Sequence, residues 1–111
     1  MPNGFSDFDR FVEWPAVASG YRRGMSYLDE YGLDTPPDRV ASAVEVAMGV
    51  IRESFPEGSP PPDRAVDLFI ANVVMAAACR FTFDDGAALD QKEVAESLTF
   101  FKGFFNSGWH Y

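Results

Sequence analysis

The stretch LFIANVVMAAAC, residues 68–79, decides the fold of this chain. It is apolar apart from Asn72, so a helix formed by it would be apolar on nearly every side. Such a helix belongs at the centre of a domain, where neighbouring helices cover it. Its length and its alanines favour a helix over a buried strand. The sequence therefore predicts an all-α, compact bundle packed around a central apolar helix at about residues 62–81.

The rest of the chain supplies the helices around that centre. Apolar residues recur at helical spacing over residues 15–31, 37–55 and 90–106, and prolines and glycines separate these segments. We predict four main helices plus a short N-terminal helix at residues 6–14, all within a single helical domain of residues 1–111. Because the connections are tight, neighbouring helices are expected to run antiparallel.

Signals for helix starts occur at three places. The tetrapeptide PPDR occurs at residues 36–39 and again at residues 61–64, which indicates the same start chemistry used twice rather than a tandem repeat. Thr35 is predicted to cap the first of these helices. Asp90 and Glu93, three residues apart, predict a capping box at the start of the last helix.

The segment GYRRG, residues 20–24, allows more than one interpretation. Its glycines either let another helix approach closely or mark a break near Gly20. Its arginines either bind a phosphate or carboxylate group, or stay solvated and balance Asp29 and Glu30. The second role of the arginines is favoured, because the segment lacks the pattern of a phosphate-binding loop.

The charge balance narrows the classes of partner. The chain has 17 acidic and 9 basic side chains, a formal net charge of −8 and a pI of about 4.4. Direct binding to nucleic acid or to an anionic membrane needs a basic face, so neither is expected. A protein with a basic surface is the natural electrostatic partner. Negative charge also keeps a Phe-rich domain soluble, which is an alternative explanation.

Few side chains here can carry acid–base, nucleophilic or metal chemistry. His110 is the sole histidine, next to the last residue, and Cys79 is the sole cysteine. Within its apolar run, Cys79 is predicted to be a buried small hydrophobe. No zinc-ligand pattern and no Gly-rich phosphate loop is present. We therefore expect neither catalysis, nor a cofactor, nor a bound metal.

Localisation is predicted from the same residues. One cysteine cannot form an intramolecular disulfide, and the first residues lack the pattern of a signal peptide. The longest apolar run, residues 68–79, is shorter than the roughly 20 residues that span a bilayer. A cytoplasmic protein with no membrane contact is expected.

The acidic side chains concentrate near two turns. Asp38, Asp63 and Asp90 are explained by helix starts, where the helix dipole favours negative charge. Antiparallel helices would bring the turns after Tyr31 and Phe83 to one end of the bundle, where the remaining acids form a patch for a partner. The predicted patch consists of Asp29, Glu30, Asp34, Asp84, Asp85, Glu93 and Glu96.

The C-terminal aromatic residues form a second candidate surface. Phe101 and Phe105 fit the buried stripe of the last helix, whereas Phe100, Trp109 and Tyr111 are left over. These three either are buried in the groove beside the short N-terminal helix, or contact a partner or a second copy in a homodimer.

These features favour a non-catalytic, acidic protein-interaction domain. It would bind, and by binding inhibit, a partner with a basic surface such as a nucleic-acid-handling protein. Immunity proteins and phage anti-defence inhibitors have this charge and size, and the comparison extends no further than that. The alternative is a small-molecule-binding or regulatory domain with a pocket lined by Phe, Met and Tyr between the helices at 15–31, 62–81 and 90–106.

Overall fold

Four helices make up the described part of the chain. The computed structural model describes residues 14–55 and 61–108, with side chains described up to residue 102. Within these ranges there is no strand, and the all-α bundle is confirmed. The predicted short N-terminal helix lies outside the described residues, apart from Trp14, which immediately precedes the first helix. The helices are α1 (Pro15–Tyr31), α2 (Pro37–Ser54), α3 (Asp63–Phe83) and α4 (Gln91–Gly108).

Helices α1 and α3 run parallel and pack closely. Gly20 of α1 lies against Asp67 and Ile70 of α3, and Arg23 pairs with Asp67 at 2.9 Å between Nε and Oδ1. Further along both, Gly24 lies against Val74. Contacts that advance along both helices in the same direction require parallel axes. The backbone of α1 follows α3 rather than its sequence neighbour α2.

Helix α2 runs antiparallel to α3. Its first turn lies beside the end of α3, where Arg39 Nη1 donates a hydrogen bond to the carbonyl oxygen of Gly86 at 2.9 Å. Helix α4 also runs antiparallel to α3. Its start contacts Arg80 through Glu93, and the Phe101 ring meets the Phe69 ring edge-on further along. Chain direction therefore alternates from each helix to the next.

The two glycines of α1 explain the closeness of α1 to α3. The helix continues unbroken through both of them. A Cβ atom at Gly20 would collide with the backbone carbonyl of Asp67 and lie 2.7 Å from Cβ of Ile70. A Cβ atom at Gly24 would lie 2.5 Å from Cβ of Val74. Of the two interpretations of GYRRG, close approach of another helix is the right one.

Helix α3 forms the centre of the core, but one stripe of it stays open. Its side chains Phe69, Ile70 and Val74 are completely buried, and α3 contacts each of the other three helices. Leu68 and Met75 are only half-buried, and Cys79 is exposed. The prediction of a buried Cys79 is therefore wrong. Cys79 lies on the side of α3 that faces away from α2.

The helix boundaries follow the expected chemistry with one exception. Asp90 and Glu93 form the predicted capping box: the Glu93 N–H donates to Asp90 Oδ1 at 2.9 Å, and the Asp90 N–H to Glu93 Oε1 at 3.2 Å. The predicted cap at Thr35 is wrong. Pro36 occupies the capping position with no side-chain hydrogen bond, because two successive prolines already fix the backbone for a helix start.

Helix α3 has the length and composition of a helix that could cross a membrane. The sequence prediction considered only the shorter apolar run, but the 21-residue helix as a whole meets the criterion. A core helix of a soluble bundle meets it as well, and 44% of the most apolar window of α3 is buried within this fold. Length and composition therefore do not distinguish the two environments.

Candidate functional site

Both acidic turns lie at the same end of the bundle. Alternating direction places the end of α1, the start of α2, the end of α3 and the start of α4 together. We call this region, residues 29–39 and 80–96, the acidic end. It carries nine carboxylates and three cationic side chains. The rest of the described chain carries four carboxylates and five cationic side chains.

The two turns are built differently. After α1, Gly32 has a φ of 69°, and the N–H groups of Gly32 and Leu33 bond to the carbonyl oxygens of Asp29 and Leu28. This is the Schellman end that glycine permits. After α3, Asp85 and Gly86 both have positive φ, at 56° and 83°. The backbone conformation of each turn is therefore defined, and it fixes where the acidic residues of that turn begin.

Arg39 joins the two turns. Its guanidinium donates to Gly86 in the second turn and lies 5.5 Å from the centre of the Phe81 ring. Arg39 is itself only five residues after Asp34, which lies in the first turn. Sequence reasoning missed this residue, because an arginine in the first turn of a helix gives no signal of a partner 47 residues away.

Arg80 engages two of the seven predicted patch residues. Its Nη1 donates to Glu93 Oε1 at 2.8 Å, its Nη2 bonds the other oxygen of Glu93, and its Nε lies 3.5 Å from Asp84 Oδ2. Glu93 is thus both part of the helix cap and the partner of an arginine. Glu93 and Asp84 therefore offer less net charge to a partner than the sequence alone indicated.

The other five predicted patch residues are exposed to solvent. Asp34 and Asp85 lie in the two turns, and Asp29 and Glu30 lie in the last turn of α1. Glu96 lies one turn after Glu93 on α4. The region also contains Asp38 and Asp90, which the sequence analysis assigned to helix starts, and the single lysine Lys92.

The predicted aromatic surface is described only in part. The Phe100 side chain is 79% exposed, and its ring meets the ring of Phe101 edge-on at 6.5 Å between centroids. Trp109 and Tyr111 lie outside the described residues. Phe100 is therefore the one member of the predicted aromatic group whose surroundings are known.

A polar cluster lies towards the opposite end, where α1 contacts α3. Ser19 donates a hydrogen bond to the Asp67 carboxylate, and Arg23 donates two, at 2.9 and 3.4 Å. Burial raises the pKa of Asp67, but hydrogen bonds from Arg23 and Ser19 outweigh it, so the net pKa is lowered. A carboxylate with a lowered pKa is a weak base, which disfavours its use in activating the Ser19 hydroxyl.

Arg23 binds a carboxylate group, which is the less favoured of the two roles considered from the sequence. Its carboxylate partner is Asp67 on α3 rather than Asp29 or Glu30 on its own helix. The pKa of Arg23 is raised, first by the hydrogen bond to Asp67. Arg23 therefore fixes α1 against α3.

Two clefts bear on the small-molecule alternative. One, of about 500 Å³, adjoins the Ser19–Arg23–Asp67 cluster between α1 and α3. The other, of about 380 Å³, lies between α2, α3 and the connection to α4, and includes Arg39, Phe81 and Leu89. Neither is the predicted pocket lined by Phe, Met and Tyr between α1, α3 and α4.

Comparisons with protein-family models, with curated proteins and with solved structures gave no significant match. Among the described residues, no group of three His, Cys, Asp or Glu side chains is arranged to hold a metal ion. The function is therefore inferred from the geometry and charge of the chain itself.

Proposed function

We propose that this chain is a non-catalytic interaction domain whose acidic end binds a basic surface on another protein and blocks that surface. The uneven distribution of charge carries the proposal. The acidic end has three times as many carboxylates as cations, whereas the rest of the described chain has slightly more cations than carboxylates. A solubilising charge has no reason to concentrate at one end.

Because the negative charge is concentrated at one end, it orients the chain as a basic partner approaches. A basic partner is attracted to the acidic end and arrives with that end foremost, which raises the rate of productive encounter. Exposed carboxylates keep most of their hydration before binding, so each contact contributes little alone and the set acts together. The expected signature is an association rate that falls steeply with ionic strength.

The two turns favour a preformed binding surface. Arg39 links them, Gly32 closes α1, and the capping box of Asp90 and Glu93 starts α4. A surface held in place by such contacts loses little conformational entropy on binding. A nucleic-acid-handling protein is a suitable partner class, because its phosphate-binding face is basic and would be covered by the acidic end.

The test compares two pairs of charge reversals. Asp34→Lys with Glu96→Lys changes the acidic end, and Glu45→Lys with Glu53→Lys changes exposed sites on α2 away from it. Each reversal adds two charges, so both variants go from −8 to −4. We expect a host protein captured by the wild type to be lost by the first variant, retained by the second and released at about 0.5 M salt.

Other outcomes would contradict the proposal. Equal loss of capture in both variants would show that total charge rather than its location decides binding. Capture unchanged by salt would show that the contact is not electrostatic. Glu93 is left unchanged, because its reversal would break the contact with Arg80 and the helix cap and so confuse unfolding with loss of binding.

A further inference from the structure

The open stripe on α3 runs from Leu68 to the end of the helix. Leu68, Asn72, Met75 and Cys79 follow one another at steps of four, three and four residues, and Phe83 lies one turn further on. The Phe83 side chain is 76% exposed. This spacing is that of a coiled-coil seam, in which one helix packs along another. We call these five residues the α3 seam.

Neighbouring helices extend the seam into a wider apolar face. Phe100 on α4 lies two turns after Glu93, on the side of α4 that contacts α3. The cleft beside Arg23 of α1 includes Leu68, so α1 borders the seam on the other side. Helix α2 lies behind α3, where it shares a cleft with Ala77 and Phe81. Within the described residues, no helix covers the seam on the side away from α2.

The charged residues at the two ends of the seam favour a second copy of the chain in antiparallel orientation as its partner. Arg64 lies one turn before Leu68, and Asp84 and Asp85 follow Phe83 directly. A second copy in parallel orientation would set these like charges against each other. A second copy in antiparallel orientation would set Arg64 of each chain near the Asp84–Asp85 turn of the other.

We propose that the α3 seam pairs with the α3 seam of a second copy of this chain, antiparallel, about a two-fold axis beside Met75. Residue positions fix this register: Leu68 and Phe83 lie at equal distances from the axis, and so do Asn72 and Cys79. Each seam residue of one chain therefore meets its counterpart in the other, as a closed two-fold contact requires.

This dimer does not depend on the proposed function of the acidic end, and it is compatible with it. Antiparallel pairing carries the two acidic ends to opposite ends of the dimer. The carboxylates of the two chains are then kept apart despite a net charge of −8 on each. The carboxylates of each acidic end outside the Asp84–Asp85 turn remain available to a partner.

The test is disulfide cross-linking with three variants. The wild type has a single cysteine, Cys79, which is exposed. The variant Asn72→Cys has two, and Asn72→Cys with Cys79→Ser has one, at position 72. Under mild oxidation at micromolar concentration, the antiparallel register predicts a covalent dimer from Asn72→Cys alone, since only there do two cysteines face each other across the contact.

The single-cysteine chains are the matched controls. Cross-linking of the wild type through Cys79 would indicate a parallel pair or another register and would overturn the proposal. Absence of cross-linking in all three chains, with a monomer mass in sedimentation, would overturn it too. Binding of the monomer to phosphatidylcholine vesicles would assign the seam to a bilayer instead.

A second variant tests the seam without cysteines. Met75→Asp places two carboxylates together beside the axis, and we expect the dimer dissociation constant to rise by about 100-fold. Ser42→Asp introduces the same charge at an exposed site on α2 and should leave it unchanged. Since Met75 is half-buried, the thermal midpoint of the monomer is measured in parallel. An unchanged dissociation constant in Met75→Asp would contradict the proposed contact.

Discussion

Helices α1 and α4 both pack on α3, but they do so by different means. The α1 backbone lies against the α3 backbone at Gly20 and against the Val74 side chain at Gly24, with the Arg23–Asp67 pair at the edge of the contact. Helix α4 contacts α3 through larger groups, the edge-on rings of Phe69 and Phe101 and the Arg80–Glu93 pair. The α1–α3 contact is possible because glycines have no side chain, whereas the α3–α4 contact is made by large side chains.

This difference determines what each contact tolerates. A backbone contact has no rotamer that can move aside, so an added methyl group must separate the helices. A contact between long side chains can adjust, but it loses specific hydrogen bonds when one partner changes. We therefore expect α1 to be sensitive to added volume and α4 to be sensitive to lost polar groups.

The largest effect is expected from adding one carbon to the α1 contact. Gly20→Ala forces the new Cβ into the Asp67 carbonyl and Ile70, and should lower the free energy of unfolding by about 2–4 kcal/mol. Urea unfolding followed by circular dichroism measures it. The same change at Gly49 on α2, where a Cβ would meet nothing within 4 Å, should raise stability by about 0.5–1 kcal/mol.

A smaller effect is expected from the polar groups at the two contacts. Each arginine donates two hydrogen bonds to its partner; Arg80 and Glu93 are 29% and 31% exposed, whereas Arg23 is 45% exposed and Asp67 15%. Double-mutant cycles with Arg→Met and acid→amide changes should give a coupling of about 1–2 kcal/mol for Arg80–Glu93 and about 0.5 kcal/mol for Arg23–Asp67. The reverse order would show that exposure does not rank these pairs.

The smallest effect is a pH dependence at the α1 contact. The pKa of Asp67 is lower in the folded chain than its ordinary value of 3.8, so the folded state binds that proton more weakly than the unfolded state. The resulting stability is present above the ordinary pKa and is lost as pH falls through the folded pKa. The stability difference between wild type and Asp67→Asn should therefore shrink between about pH 5 and pH 2. A constant difference would contradict the lowered pKa.

Local patterns in the sequence were sufficient to predict much of this fold. The apolar run of residues 68–79 indicated the central helix, and the three-residue spacing of Asp90 and Glu93 predicted a hydrogen-bonded cap that the structure contains. These features depend on residues within a turn or two of each other. The helical spacing of apolar residues and the residues of a helix cap are close together in the chain, so both can be recognised in a single sequence.

Contacts between distant segments were not predictable in the same way. Arg23 and Asp67 are 44 residues apart, and Arg39 meets Gly86 across 47. The openness of α3 at Cys79 depends on where three other helices lie, which composition cannot show. The carboxylates of the acidic end could be listed from the sequence. The pairing of Arg80 with Glu93 and the link that Arg39 makes between the two turns are contacts between distant residues, so only the structure shows them.

The dependence of α1 on α3 has a consequence during protein synthesis. Helix α1 carries two glycines in its middle, which weakens it as an isolated helix. Its main backbone contact is with α3 rather than α2, so a ribosome that has made only the first two helices has not yet made the surface that holds α1. The segment synthesised earlier must wait for Asp67, Ile70 and Val74 to leave the exit tunnel. We therefore expect α1 to gain protection from amide exchange only once α3 has emerged.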